Sequence, residues 1–126
     1  PPNPGNRLGR THQQAVIVCK DPAEAVRLQE TLRTRISLSG DIGEVTLLAG
    51  ADASYARGSD EIHAVVVALR YPGLAVVERV SASIETPFPY IPGLLTFREG
   101  PALLEAFRRL RSEPDVIFFD GQGIAR

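Results

Sequence analysis

The 126-residue sequence lacks several features that would place it in a specialised class. Its only cysteine is Cys19, which excludes an internal disulfide framework and a cysteine-based zinc cluster, and predicts a reducing compartment, the cytoplasm. No apolar run approaches the roughly 20 residues of a membrane span, and no signal peptide is recognisable at the start. The formal net charge is -1, so a nucleic-acid partner would need a local basic patch or metal ions.

The apolar content is sufficient for one globular domain, since 44% of the residues are hydrophobic. Residues 1–10 predict a flexible tail, and residues 11–126 predict the domain itself. The chain does not begin with methionine, which leaves open that it is a processed piece of a longer protein.

A first helix is predicted to begin after Asp21, which supplies an N-cap acceptor, with proline at the next position and Glu24 three residues after the cap. Apolar residues recur at helical spacing until Ser39 and Gly40 end the pattern. They are Ala25, Leu28, Leu32 and Ile36. One side of this helix is therefore expected to pack on a core.

Three extended segments follow at residues 45–54, 62–70 and 75–83, each rich in aliphatic residues or alanine and bounded by turn residues. Residues 71–74 have proline and glycine at the two central positions, which predicts a type II turn. These features predict an antiparallel meander of three strands.

A second helix is predicted over residues 101–111, with Gly100 as its cap and Pro101 at the favoured first position. Its apolar stripe would consist of Leu103, Leu104, Phe107 and Leu110. Residues 115–120 then predict a short strand, buried on both faces and parallel to a neighbour.

The predicted order of helix, three strands, helix and strand is the beginning of an α/β, ribonuclease H-like fold with a mixed sheet. Because little sequence follows the last strand, we expect the C-terminal part of the domain to be absent. One sheet face would then expose apolar side chains unless a partner chain covers it.

Three acids lie in apolar or small-residue surroundings: Asp52 in the first strand, Glu99 before the second helix and Asp120 at the end of the last strand. An unpaired carboxylate beside an apolar sheet must be protonated, hydrogen-bonded or balanced by a cation. If the three converge on one cleft, magnesium is the simplest balance, with manganese as an alternative. Each aspartate alone is also a common turn or capping residue. Glu99 with Thr96 fits a capping box, although Pro101 would then occupy an unfavourable position inside the helix.

Four motifs in succession resemble those of the endonuclease V family. They are Gly-Ala-Asp-Ala-Ser-Tyr at residues 50–55, Pro-Tyr-Ile-Pro-Gly at 89–93, Phe-Arg-Glu-Gly-Pro at 97–101 and Asp-Gly-Gln-Gly-Ile-Ala at 120–125. The resemblance extends over residues 11–126. It implies that Asp52, Glu99 and Asp120 are catalytic, metal-binding acids. It also implies nicking of DNA, or alternatively RNA, on the 3′ side of a deaminated base such as hypoxanthine.

The resemblance further implies a set of nucleic-acid contacts. The loop at residues 89–93 would act as a wedge in the opened strand, and glycine turns would let the backbone approach an extruded base. The set comprises Pro89, Tyr90, Ile91, Pro92, Gly93, Leu95, Arg98, Gly121 and Gln122. The alternatives are a rigid surface turn for the loop, simple turn formation for the glycines, and a solvated helix-start position for Arg98.

The sequence departs from the family at its end, where Arg126 occupies the position of a family histidine. Complete relatives continue beyond this point and supply a further metal-site segment and a lysine near the reacting phosphate. We therefore expect little or no cleavage by the isolated chain. Two other functions stay open on the same fold, a non-catalytic nucleic-acid-binding module and a protein-interaction domain.

Overall fold

The computed structural model describes Cys19 and residues 21–121. The elements in chain order are α1 (Pro22–Arg33), β1 (Leu47–Ser54), β2 (Glu61–Arg70), β3 (Val76–Glu85), α2 (Leu95–Arg109) and β4 (Val116–Phe119). The four strands form one sheet in the order β3-β2-β1-β4. β2 pairs antiparallel with both β1 and β3, whereas β4 pairs parallel with β1. The predicted meander, crossover helix and parallel strand of a ribonuclease H-like α/β fold are thus confirmed. The tail predicted at residues 1–10 lies outside the described residues, as do Gln122 and Arg126.

The sheet packs against α2 through small side chains. On β2 every second residue is buried, which is the period expected of a strand with one covered face. The buried residues of this strand are Ile62, Ala64, Val66 and Ala68. The helix contributes Ala102 and Ala106, both fully buried, so its backbone lies close to the sheet. Neither described helix has the length and apolar composition of a membrane span.

α1 begins as predicted but ends early. Asp21 Oδ1 accepts a hydrogen bond from the Ala23 amide at 3.0 Å, which caps the helix. The helix ends at Arg33 rather than near Ser39, and just beyond its end the Thr34 hydroxyl donates to the Thr31 carbonyl at 2.7 Å. Ala25 is buried in the same cluster as Cys19.

The loop between β2 and β3 differs from the predicted type II turn. Its positive φ falls at Leu74 (63°) instead of Gly73, and the Tyr71–Pro72 peptide is cis. The Leu74 amide donates to the Arg70 carbonyl at 2.7 Å, which makes the loop one residue wider than a four-residue turn. The direct connection between the two strands is nevertheless confirmed.

α2 begins earlier than predicted, at Leu95, so Glu99 and Pro101 both lie inside it. Neither Gly100 nor Thr96 caps the helix, because its N-cap is Leu94 without a side-chain hydrogen bond. Gly100, the residue before Pro101, has no Cβ to clash with the proline ring, which reduces the cost of a proline inside the helix. An early start also buries Phe97 against Phe88, with ring centroids 5.9 Å apart.

β4 is not buried on both faces, contrary to the prediction. Phe118 is 62% exposed and Phe119 is 56% exposed. The reason is that β4 lies at the edge of the sheet, while α2 packs across β1, β2 and β3. The ring of Phe119 still reaches Phe107 on α2, with centroids 5.7 Å apart. Apolar strand residues are therefore exposed, as expected for an uncovered sheet face.

Candidate functional site

The register of β4 beside β1 is fixed at the start of both strands. The Asp115 carboxylate accepts from the Thr46 amide at 2.9 Å and from the Leu47 amide at 3.0 Å. The Asp115 amide in turn donates to the Leu47 carbonyl at 2.9 Å. The hydrogen bonds that the Asp115 carboxylate accepts, led by that of the Thr46 amide, lower its pKa.

That register brings two of the three predicted acids together. Ala51 of β1 pairs with Phe119 of β4, so Asp52 and Asp120 are the next residues along two adjacent parallel strands. Ala51 is buried beneath α2, whereas Asp52 alternates to the other face and is exposed. The two aspartates thus lie at the carboxyl ends of neighbouring strands.

Glu99 approaches these aspartates from α2. Burial raises the pKa of Glu99 most, and the negative charge of Asp52, and to a smaller extent that of Asp120, raises it further. Arg98 partly offsets this effect. The three acids therefore interact electrostatically although they come from different elements.

The acids are not preassembled as a metal cluster. No group of three or more His, Cys, Asp and Glu side chains among the described residues lies close enough to hold a metal ion. The sharing of one magnesium ion by Asp52, Glu99 and Asp120 stays a prediction. Asp52 Oδ1 accepts a hydrogen bond from the Ala53 amide at 2.9 Å, so one oxygen of this carboxylate is bonded to its own strand.

The chemistry of the three acids still fits a divalent cation. Within residues 21–121 none of them belongs to an ion pair, so their mutual repulsion is not offset by a direct partner. Magnesium prefers hard oxygen ligands, keeps several waters and is commonly held by one or two carboxylates together with substrate phosphates. The acids therefore need not all contact one ion before a substrate arrives.

An open cleft of about 340 Å³ is lined by two of the three acids, Glu99 and Asp120, but not by Asp52. One side is formed by the residues Tyr90, Pro92, Gly93, Leu95, Thr96 and Phe97. Glu99, Asp120 and Gly121 line it as well. A second wall comes from α1 and the residue three beyond its end, and consists of Gln29, Leu32, Arg33 and Ile36. The motifs did not predict this wall, although its residues follow the i, i+3, i+4, i+7 spacing of one helix face.

Most of the predicted nucleic-acid contacts in the described region line this cleft, but Pro89, Ile91 and Arg98 do not. Tyr90 is 60% exposed, whereas Ile91 packs against the cluster around Phe97. Gly93 has a φ of 85°, which favours glycine at this position. The loop therefore presents an exposed tyrosine on a turn anchored by its neighbour.

Arg98 does not occupy a solvated helix-start position, so that alternative is wrong, and the phosphate contact stays a prediction. It is 5% exposed, and its guanidinium donates to the Phe88 carbonyl at 2.8 Å and to the Ser59 carbonyl. It also lies 3.6 Å from Asp60 and 4.2 Å from the centroid of the Tyr55 ring. The buried Arg98 side chain thus connects Ser59 and Asp60, in the loop between β1 and β2, to Phe88, which directly precedes the loop at 89–93. This role depends on tertiary contacts that no local motif reveals.

The mixed sheet and the acids at the ends of two parallel strands place the chain among α/β proteins with an acidic site at the carboxyl edge of the sheet. Residues 30–126 match the family model described as Endonuclease V. The chain therefore belongs to the endonuclease V family.

Relatives of known sequence and structure agree with this assignment. The chain is 46% identical over 104 residues to the Endonuclease V of Dehalococcoides mccartyi strain BAV1, a match covering 82% of this chain and 47% of that protein. The crystal structure of Endonuclease V from Streptomyces avermitilis matches with a TM-score of 0.75 and 36% identity, over 82% of this chain and 46% of that one. The crystal structure of Endonuclease V from Ciona intestinalis is a complex with a 24mer DNA containing an inosine followed by a ribo-adenosine. It matches with a TM-score of 0.72 and 28% identity, over 80% of this chain and 46% of that one. The chain thus spans about half the length of these relatives.

Proposed function

We propose that this chain provides the strand-opening loop and three metal-binding acids of an endonuclease. The enzyme would nick DNA, or alternatively RNA, on the 3′ side of deaminated bases such as hypoxanthine, in the cytoplasm. The observation that carries the proposal is that Glu99 lies near enough to Asp52 and Asp120 for their charges to raise its pKa. Glu99 and Asp120 line a cleft that Tyr90 also lines. The inosine-containing DNA bound by the Ciona relative supports the substrate class.

Tyr90 would open the strand. Its exposed ring offers an apolar face for a base, and the prolines at positions 89 and 92 restrict the backbone around it. Extruding a base costs a few kcal/mol and costs least at a mismatched or damaged base. A rigid wedge would therefore favour lesions that weaken pairing.

The cleft would receive the extruded base. Its volume of about 340 Å³ lies at the lower end of the range for small-molecule sites. Gly93 and Gly121 border open space, because a Cβ added at either would meet no atom within 4 Å. A base can therefore approach the backbone there. Leu95 adds an apolar contact, and Gln122 is proposed as a further contact by resemblance to the family.

Asp52, Glu99 and Asp120 would hold magnesium, with manganese as an alternative. The bound ion would supply an activated water and stabilise charge on the leaving oxygen. Glu99 would bring a carboxylate from α2 toward the strand-end aspartates. Arg98, the preceding residue, would fix that part of the helix through its buried hydrogen bonds.

The test is nicking of an end-labelled strand that contains one inosine, with magnesium or with EDTA. The natural full-length protein containing this sequence should nick it only with magnesium, and residues 1–126 alone should cleave it little or not at all. Asp52→Asn and Asp120→Asn should abolish nicking while retaining much of the strand binding. Glu85→Gln removes a charge from an exposed strand end away from the cleft and serves as the matched control. Nicking by Asp52→Asn equal to that of the Glu85→Gln control would refute the role of the acids.

A second candidate is binding without catalysis, and one observation favours it: the described acids do not form a ready three-ligand cluster. In that case the full-length protein would bind inosine-containing strands equally with and without divalent metal. It would not nick them with either magnesium or manganese.

A further inference from the structure

The wall of the cleft formed by α1 carries a cation. Arg33 lies in the last turn of α1, is exposed and lines the cleft. Among the lining residues that the structure describes, Arg33 is the only cation, whereas Glu99 and Asp120 are both acids. The positive charge on this wall is therefore isolated within an otherwise acidic cleft.

Within residues 21–121 the Arg33 guanidinium forms neither an ion pair nor a hydrogen bond. The ion pairs of this region involve Arg98, Arg108, Arg109 and His63, and no side-chain hydrogen bond starts from Arg33. The C-terminal end of a helix presents carbonyl oxygens and a partial negative charge, so the backbone there does not attract an anion. Any attraction of an anion to this wall must come from the Arg33 side chain.

The neighbours of Arg33 add an apolar surface. Leu32 is half-buried and Ile36 is 49% exposed, and both line the same wall as Arg33. Tyr90 and Pro92 line the cleft too, on the loop at 89–93. A planar ring of a nucleotide would contact apolar side chains from both elements, while its charged backbone would need a cation at the rim.

We propose that Arg33 binds a phosphate of the nucleic-acid strand whose base enters the cleft, with Leu32 and Ile36 forming the apolar wall beside that base. The inference rests on the proposed function, which it extends to a helix outside the motifs. A guanidinium suits this role because it is planar, permanently charged and able to donate two parallel hydrogen bonds to phosphate oxygens. Such a contact orients the strand without reading its sequence.

The test measures how binding depends on salt. The affinity of the chain for a single-stranded DNA oligonucleotide with one inosine is determined without divalent metal, between about 50 and 200 mM salt. Arg33→Ala should reduce the slope of log affinity against log salt by about 0.7, the value for one phosphate contact on a single strand. The affinity itself should fall by about two- to fivefold.

Arg27→Ala is the matched control, because it removes the same charge from an exposed position of the same helix that does not line the cleft. This variant should leave the slope unchanged, and Arg33→Lys should restore most of it. Both alanine variants should melt at the same temperature. Equal slopes for the two alanine variants would overturn the inference, as would a lower melting temperature of Arg33→Ala with an unchanged slope. Absence of binding by the wild-type chain would also overturn the inference, whereas the proposed function is decided separately by the nicking test.

Discussion

Replacing the buried Arg98 with alanine should destabilise the protein more than any surface substitution. The change removes the donors to the Phe88 and Ser59 carbonyls and the cation over the Tyr55 ring. A buried carbonyl left without a donor costs about 1–3 kcal/mol, and a desolvated cation–π contact contributes up to about 2 kcal/mol. Because these contributions overlap, we expect the free energy of unfolding to fall by about 3–5 kcal/mol, which is less than the sum of their upper values.

The assay is urea unfolding followed by circular dichroism, because the protein has no tryptophan for fluorescence. Arg98→Lys keeps the charge but not the planar fork that reaches two carbonyls, and should lie between alanine and the wild type. Arg79→Ala, on an exposed position of β3, should change stability by no more than about 0.5 kcal/mol. A loss below about 1 kcal/mol for Arg98→Ala would refute the reasoning, because it would mean that the buried hydrogen bonds contribute nothing net.

Three further predictions concern pH, the loop and its glycine. The pKa of Glu78 is lowered, first by the hydrogen bond from the Arg111 amide, so its stabilising effect is present above its ordinary value of 4.5 and is lost as pH falls through the lower folded value. Urea unfolding at a series of acidic pH values should show this loss, and Glu78→Gln should show less of it. Tyr90→Ala should lower the ratio of inosine-strand to adenine-strand affinity, measured by fluorescence anisotropy, while leaving the melting temperature unchanged. Gly93→Ala should lower the melting temperature, because alanine is strained at a φ of 85° even though its Cβ would meet no atom.

Much of the fold follows from local sequence. The strands of the meander were predicted within two residues of their bounds because alternation and aliphatic composition are local properties that the sheet preserves. The cap at Asp21 was predicted for the same reason, since its bond to the Ala23 amide spans two residues. The burial of β4 could not be predicted from its composition, because it depends on the position of this strand at the edge of the sheet, where among the described strands it pairs only with β1.

The candidate site was predicted only as far as its motifs extend. The motifs named the three acids and the loop at 89–93, but not the wall from α1, whose residues carry a helical pattern that is also typical of core packing. The buried contacts of Arg98 were not predicted, because its carbonyl partner at Ser59 lies 39 residues away in the sequence. Side-chain direction at such a position depends on tertiary packing and not on neighbours in sequence.

The largest error in the predicted fold and a central part of the candidate site fall on the same segment. The start of α2 was predicted at Pro101, because proline favours the first position of a helix. The helix begins instead at Leu95 and contains Arg98 and Glu99 as consecutive residues. Consecutive helical side chains point about 100° apart, so one can enter the core while the other faces the cleft. Arg98 takes the inward position and bonds to backbone carbonyls, while Glu99 takes the position beside the strand-end aspartates. The early helix start, made less costly by a glycine before the proline, is therefore what brings an acid from the helix to the sheet.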